Sequence, residues 1–161
     1  MDGSPEVARL VDQLERAMCG DAWHGDPVVA ILQGIDFARA NAKPSAKAHS
    51  IREIVRHMAA WTNEVRRRLN GSPAATPREG DWPKASGKGP AAWADEIDTL
   101  IGAHNALVHD LEKFTDAELN EPIRDPRNRK TGTGVTRYVL LHGLVQHHAY
   151  HAGQIALLSK I

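Results

Sequence analysis

The sequence holds a single cysteine, Cys19, in 161 residues. No internal disulfide can form, so stability has to come from packing, with or without a bound ion. It has no excess charge of either sign, because 20 Lys and Arg offset 20 Asp and Glu. That removes the overall field which draws a protein to nucleic acid or to an anionic membrane. It has no apolar run near the roughly 18 residues of a spanning helix. The opening MDGSPEVARLVDQ is acidic early and lacks the apolar stretch of a secretory leader. The expectation is a cytoplasmic protein with neither nucleic acid nor membrane as partner. Nowhere do apolar residues alternate with the period of a half-buried strand, which leaves the all-α class.

Helical periodicity is what the chain does have. With 42% hydrophobic residues over this length there is material for one core, and residues 1–161 are expected to form one domain. Ser4-Pro5 has the form of an N-cap and first-turn proline, and Val7, Leu10, Val11, Leu14 and Met18 follow at helical steps. Asp26-Pro27 opens a brief connecting helix through Val28, Val29, Ile31 and Leu32, ending near Gly34. Ser50 and Glu53 make an S-x-x-E capping box before a second long helix, with Ile51, Ile54, Val55, Met58, Val65 and Leu69 inward and Gly71 as its stop. Residues 71–90 read as a crossing loop that Trp82 partly pins. A third helix spans about 91–114, residues 115–134 read as loop, and a fourth helix spans about 135–159. Four long helices with long connections predict a four-helix bundle.

Nine histidines are present, six of them in the second half. In the last helix His147 and His151 are four residues apart, a step of about 6 Å and about 400°, so their rings stack on one face and can converge on one ion. Neutral imidazoles suit zinc, nickel, copper or iron, and three protein ligands with an open position are the pattern of a catalytic zinc site. A third ligand has to come from another helix. His57 is the best candidate, because it lies on the apolar side of the second helix beside Met58 and one turn from Ile54 and Trp61, where an unpaired ring is costly. Taken singly, His57 also reads as a core histidine with one hydrogen bond, and the HxxxH pair as an exposed pair in a histidine-rich helix. His148 is turned about 100° from His147 and should miss the ion. His104 lies on the apolar stripe of the third helix, as a satisfied core residue or a pocket wall. His142 reads as packing. His24, in the turn-like DAWHGD segment, reads as a loop residue that could line a pocket mouth. Gln154, three residues after His151, can reach the same face and orient it.

The segments HSIREIVRHMAAW and GLVQHHAYHAGQIALL resemble the second-helix and closing motifs of the DinB/YfiT-like superfamily, in order and in separation. The resemblance covers nearly the whole chain, with AWHGDPVVAILQGI similar to an inter-helix segment of one branch. It implies a four-helix bundle in which one histidine of the first motif and two of the second bind a divalent metal. By position these are His57, His147 and His151, with zinc first and nickel second among the ions. Some members of that superfamily are thiol transferases or thiol-dependent isomerases, and others have no established activity.

H-H-A-Y-H lacks the glutamate that follows the first histidine in H-E-x-x-H proteases, which argues against a peptidase. Three neutral ligands leave an ion its full charge and favour a deprotonated thiol. The expectation is therefore a metal-dependent hydrolase- or transferase-type enzyme, of the thiol S-transferase kind first, with Cys19 not required. Its partners would be a small-molecule substrate, a low-molecular-weight thiol, and a second copy paired through a helix face. The rival from another class is a non-catalytic metal- or ligand-binding bundle of the stress-response type.

Overall fold

The computed structural model describes residues 4–126 and 135–161. Among these residues the chain forms α1 (Pro5–Met18), α2 (Val28–Leu32), α3 (Phe37–Asn41), α4 (Ile51–Leu69), α5 (Gly89–Leu111), α6 (Asp116–Leu119) and α7 (Arg137–Leu158). The only β-type pairing among them is an isolated antiparallel bridge between Pro122 and Thr136. The long helices close a ring: α4 packs on α5 and α7, and α1 packs on the same two from the other side.

The helix ends follow from local chemistry. Ser50 accepts the Glu53 N–H and Glu53 accepts the Ser50 N–H in return, so the capping box of α4 is complete. Beyond α4, Gly71 takes φ +90°, a conformation that a β-carbon would strain. At α1 the outcome differs from expectation. Ser4 stands at the N-cap but makes no side-chain cap bond. The carboxylate of Asp116, on α6, accepts the N–H groups of Glu6 and Val7 at 3.1 and 3.0 Å instead. A carboxylate combines the hydrogen bonds with a favourable interaction with the helix dipole, so it is a stronger cap than a hydroxyl.

Two short helices replace stretches where periodicity gives no helix. α6 lies at the start of the expected 115–134 loop, and α3 follows Ile35. At four and five residues they are too short to show a 3.6-residue repeat, yet each has its cap: Thr115 with Glu118, and Asp36 with the Arg39 N–H. The part of that expected loop at 127–134 lies outside the described residues. Both shores of it are joined, since Ile123 N–H donates to Val135 O at 2.9 Å and Arg137 N–H to Glu121 O at 3.2 Å.

The core is divided along the bundle axis. One apolar cluster gathers Met18, Val28, Leu32, Ile51, Ile54, Val55, Met58, Trp93, Leu100 and Ile155. The other gathers Leu10, Leu14, Val65, Leu69, Leu107, Leu111, Leu141 and Leu144. Each fully buried leucine contributes about 2 kcal/mol. At the junction every long helix supplies a polar residue: Glu15, Thr62, His104 and His148. Thr62, His104 and His148 are buried. α2, though only a connector in length, buries Val28 and Leu32 in the first cluster.

Candidate metal centre

Three imidazoles meet where α4 faces α7. His57 Nε2 lies 3.0 Å from His147 Nε2, and His147 Nε2 lies 3.1 Å from His151 Nε2. One ligand atom from each ring falls within 4.8 Å of the others. His57 and His151 are buried and His147 half-buried.

The tautomers can be read from the outer partners. His57 Nδ1 is 2.7 Å from the backbone oxygen of Asp81. A carbonyl only accepts, so Nδ1 carries the proton and Nε2 is left with its lone pair. His151 Nδ1 is 2.6 Å from Gln154 Oε1, whose amide nitrogen donates to the Tyr150 hydroxyl at 3.1 Å. That again leaves Nε2 bare. Two bare nitrogens therefore crowd a third about 3 Å away, an arrangement that repels unless a proton or a cation lies among them. Burial pushes His147 down to about 3, and the neighbouring His151 and His57 push the same way. Burial also brings His151 down to about 4, against the opposing hydrogen bond that it donates to Gln154. At neutral pH both rings are uncharged with lone pairs free to ligate.

The donor set fits a borderline cation such as zinc, nickel or cobalt. Nitrogens bound at about 2.0–2.1 Å to one ion lie about 3 Å or slightly more apart, as two of the three pairs do here. Outer acceptors on His57 and His151 are the usual device for fixing a ligating imidazole. Among the described residues His147 Nδ1 has no hydrogen-bond partner, so the third ring is held by packing.

Two residues of the α4–α5 loop complete the site, and periodicity has no means of finding them. Asp81 accepts from His57 through its backbone and from Trp61 Nε1 through Oδ1 at 2.7 Å. Gly80, at φ +93°, turns the chain just before it. Trp82 stacks on His57 with ring centroids 4.1 Å apart and on His49 at 3.4 Å. The loop is thus pinned, and its pin is a wall of the site.

Among the other candidates, Trp61 stands edge-on to His57 with centroids 6.3 Å apart, and Gln154 orients His151. His104 is buried with its Nε2 3.2 Å from Glu15 Oε1. His148 is fully buried with Nε2 3.2 Å from Thr62 Oγ1. His24 is exposed in the α1–α2 connection, and none of the ring contacts or hydrogen bonds of the three histidines involves it. His142 packs on Tyr138. Cys19 donates to Glu15 at 3.1 Å, and burial together with that carboxylate pushes its thiol up, away from the reactive thiolate.

Fold and site together define a class: an all-helical bundle carrying three convergent imidazoles from two of its long helices. The DinB superfamily model matches residues 22–155, and the chain belongs to that superfamily. The fold is also similar to the crystal structure of a "conserved protein of locus" from Enterococcus faecalis, with a TM-score of 0.62. The match covers 98% of this chain and 92% of that one at 17% identity, and at that distance it speaks for the fold alone. No curated protein matches the chain.

Proposed function

We propose that His57, His147 and His151 hold one divalent cation, zinc first, and that the site serves a metal-dependent enzyme of the thiol S-transferase kind. The observation that carries the metal assignment is the convergence of three Nε2 atoms, two of them left bare by their Nδ1 partners. When bound, the ion supplies Lewis acidity that favours a deprotonated sulfur or oxygen donor. The chain's own residues do the rest. Asp81 and Gln154 fix two rings by accepting their Nδ1 protons, and Trp82 shields His57 from solvent on one face. The raised Cys19 thiol favours an external thiol as nucleophile.

The test has two stages. Protein purified without a nickel column is assayed for metal by elemental analysis, and its apo form is titrated with zinc, nickel and cobalt by calorimetry. One ion per chain is expected, and no binding above the level of a His57→Ala, His147→Ala, His151→Ala triple variant would end the reading. The loaded protein is then screened for conjugation of small thiols to electrophiles. The non-catalytic reading draws on the cover that Trp82 and burial give the trio. It is favoured if metal binds and raises stability while every thiol tested leaves the cobalt spectrum unchanged.

A further inference from the structure

Beside the trio, between α4 and α7, lies an open cavity of about 320 Å³. Its walls are apolar: Trp61 and Val65 come from α4, and Val139, Leu140 and Leu144 from α7. His147 lines it too, so the cavity and the cluster share a ring. Among the described residues the one charged side chain in the lining, Arg68, is already committed. Its Nε donates to Glu64 at 2.8 Å, its terminal nitrogen donates to the Ala75 carbonyl at 2.5 Å, and its plane lies over Trp61. Among the described residues no lining side chain is left with a free charge for an anionic group. The contrast is with the hollow on the far side of Trp82, lined by Lys43, Glu53, Arg56 and Lys84 and by none of the three histidines.

We infer that this cavity receives the uncharged, apolar body of the ligand whose donor atom meets His57, His147 and His151. The ligand class is a short aliphatic or aryl chain ending in a thiol or a carboxylate. The inference rests on the metal reading for the head group, while the cavity's preference for the tail is separate from it. The volume lies at the small end of the range for ligand sites, about 300–1,000 Å³, which suits a small molecule and is too little for a docked helix. Gly143 offers a way to close the cavity: it lines the wall within α7, and a β-carbon there meets nothing within 4 Å. Gly143→Phe also replaces a poor helix former, so folding should be retained.

Zinc-loaded protein is titrated by calorimetry with butanoate, hexanoate and octanoate and with the matching n-alkanethiols. Affinity should rise about fourfold per added methylene until the cavity is full. In Gly143→Phe that chain-length dependence should vanish while zinc stoichiometry stays the same. Affinity independent of chain length, or a dependence that survives in Gly143→Phe, would overturn the inference. Failure of the metal reading shows separately, as absence of zinc binding in the wild type. In that event the 1-alkanols on metal-free protein decide the tail's place: a length dependence lost in Gly143→Phe upholds it, and a flat series overturns it.

Discussion

His148 lies deeper than His147, its neighbour in sequence, and the two mark different layers of the bundle. Burial pushes both down to about 3, so protonation does not tell them apart. What differs is where the lone pairs go. Thr62 spends its hydroxyl hydrogen on the Met58 carbonyl at 2.8 Å, so its oxygen accepts from His148 Nε2–H and the bare Nδ1 of His148 finds no partner among the described residues. His104, in the same layer, donates from Nε2 to Glu15 and likewise leaves Nδ1 alone. In the trio the outer acceptors take Nδ1–H from His57 and His151 and turn Nε2 toward a common point. Burial makes a histidine neutral; convergence is what would let three of them share one ion.

The largest effect should come from breaking that convergence. His57→Ala, His147→Ala or His151→Ala should each lower zinc affinity by at least about 100-fold, read by competition with a chromogenic chelator. His148→Leu, an apolar replacement in the deep layer, should change affinity by less than about threefold. Equal losses in His148→Leu and His147→Ala would erase the distinction between the layers.

Gln154→Ala sharpens the same comparison, because it removes the acceptor of His151 Nδ1–H while leaving the three imidazoles in place. Affinity should fall about 10- to 100-fold. Gln154→Glu, which keeps an acceptor at that position, should recover most of it.

In the deep layer the effect should appear in stability instead. Thr62→Val leaves His148 Nε2–H without its acceptor and should cost about 1–3 kcal/mol in urea unfolding, with zinc affinity unchanged. If affinity fell with stability, the two layers would be coupled.

The smallest effects are those of acid. Burial holds the folded-state pKa of His104 below its ordinary value, with Glu15 opposing. Below about pH 6.5 the unfolded chain therefore binds more protons there, and the stability this group supports, present above that pH, declines as pH falls. Asp110 works lower. Its Arg66 partner, with Lys113 and Asn70, holds it at about 2. Its contribution is present above about pH 4 and is lost as pH falls from there toward 2. Because Arg66 is well exposed, that contribution is on the order of 1 kcal/mol. Urea midpoints of the apo-protein at pH 7.5, 5.5 and 3 should show Asp110→Asn weaker than wild type at the first two and closer to it at the third.

Ser50 with Glu53, the stripe from Ile51 to Leu69 and the His147–His151 spacing are local facts, and a reader of the sequence recovers them because helix geometry alone relates those residues. α3 and α6 carried signals as well, in Asp36 and in Thr115 with Glu118, but caps without a following periodic stripe are easily passed over. The cap of α1 was beyond reach, since Asp116 stands 110 residues from Glu6.

The sequence by itself determined the long helices, their inward faces and a pair of histidines stacked on one of them, because each depends on a repeat of three or four residues. Only the tertiary structure decided that His57 crosses from α4 to meet that pair, that Asp81 and Trp82 come from a loop to hold and cover it, and that Thr62 takes up His148. The reason is physical: a donor's direction depends on which nitrogen its neighbours occupy, and those neighbours are set by how helices pack and loops return.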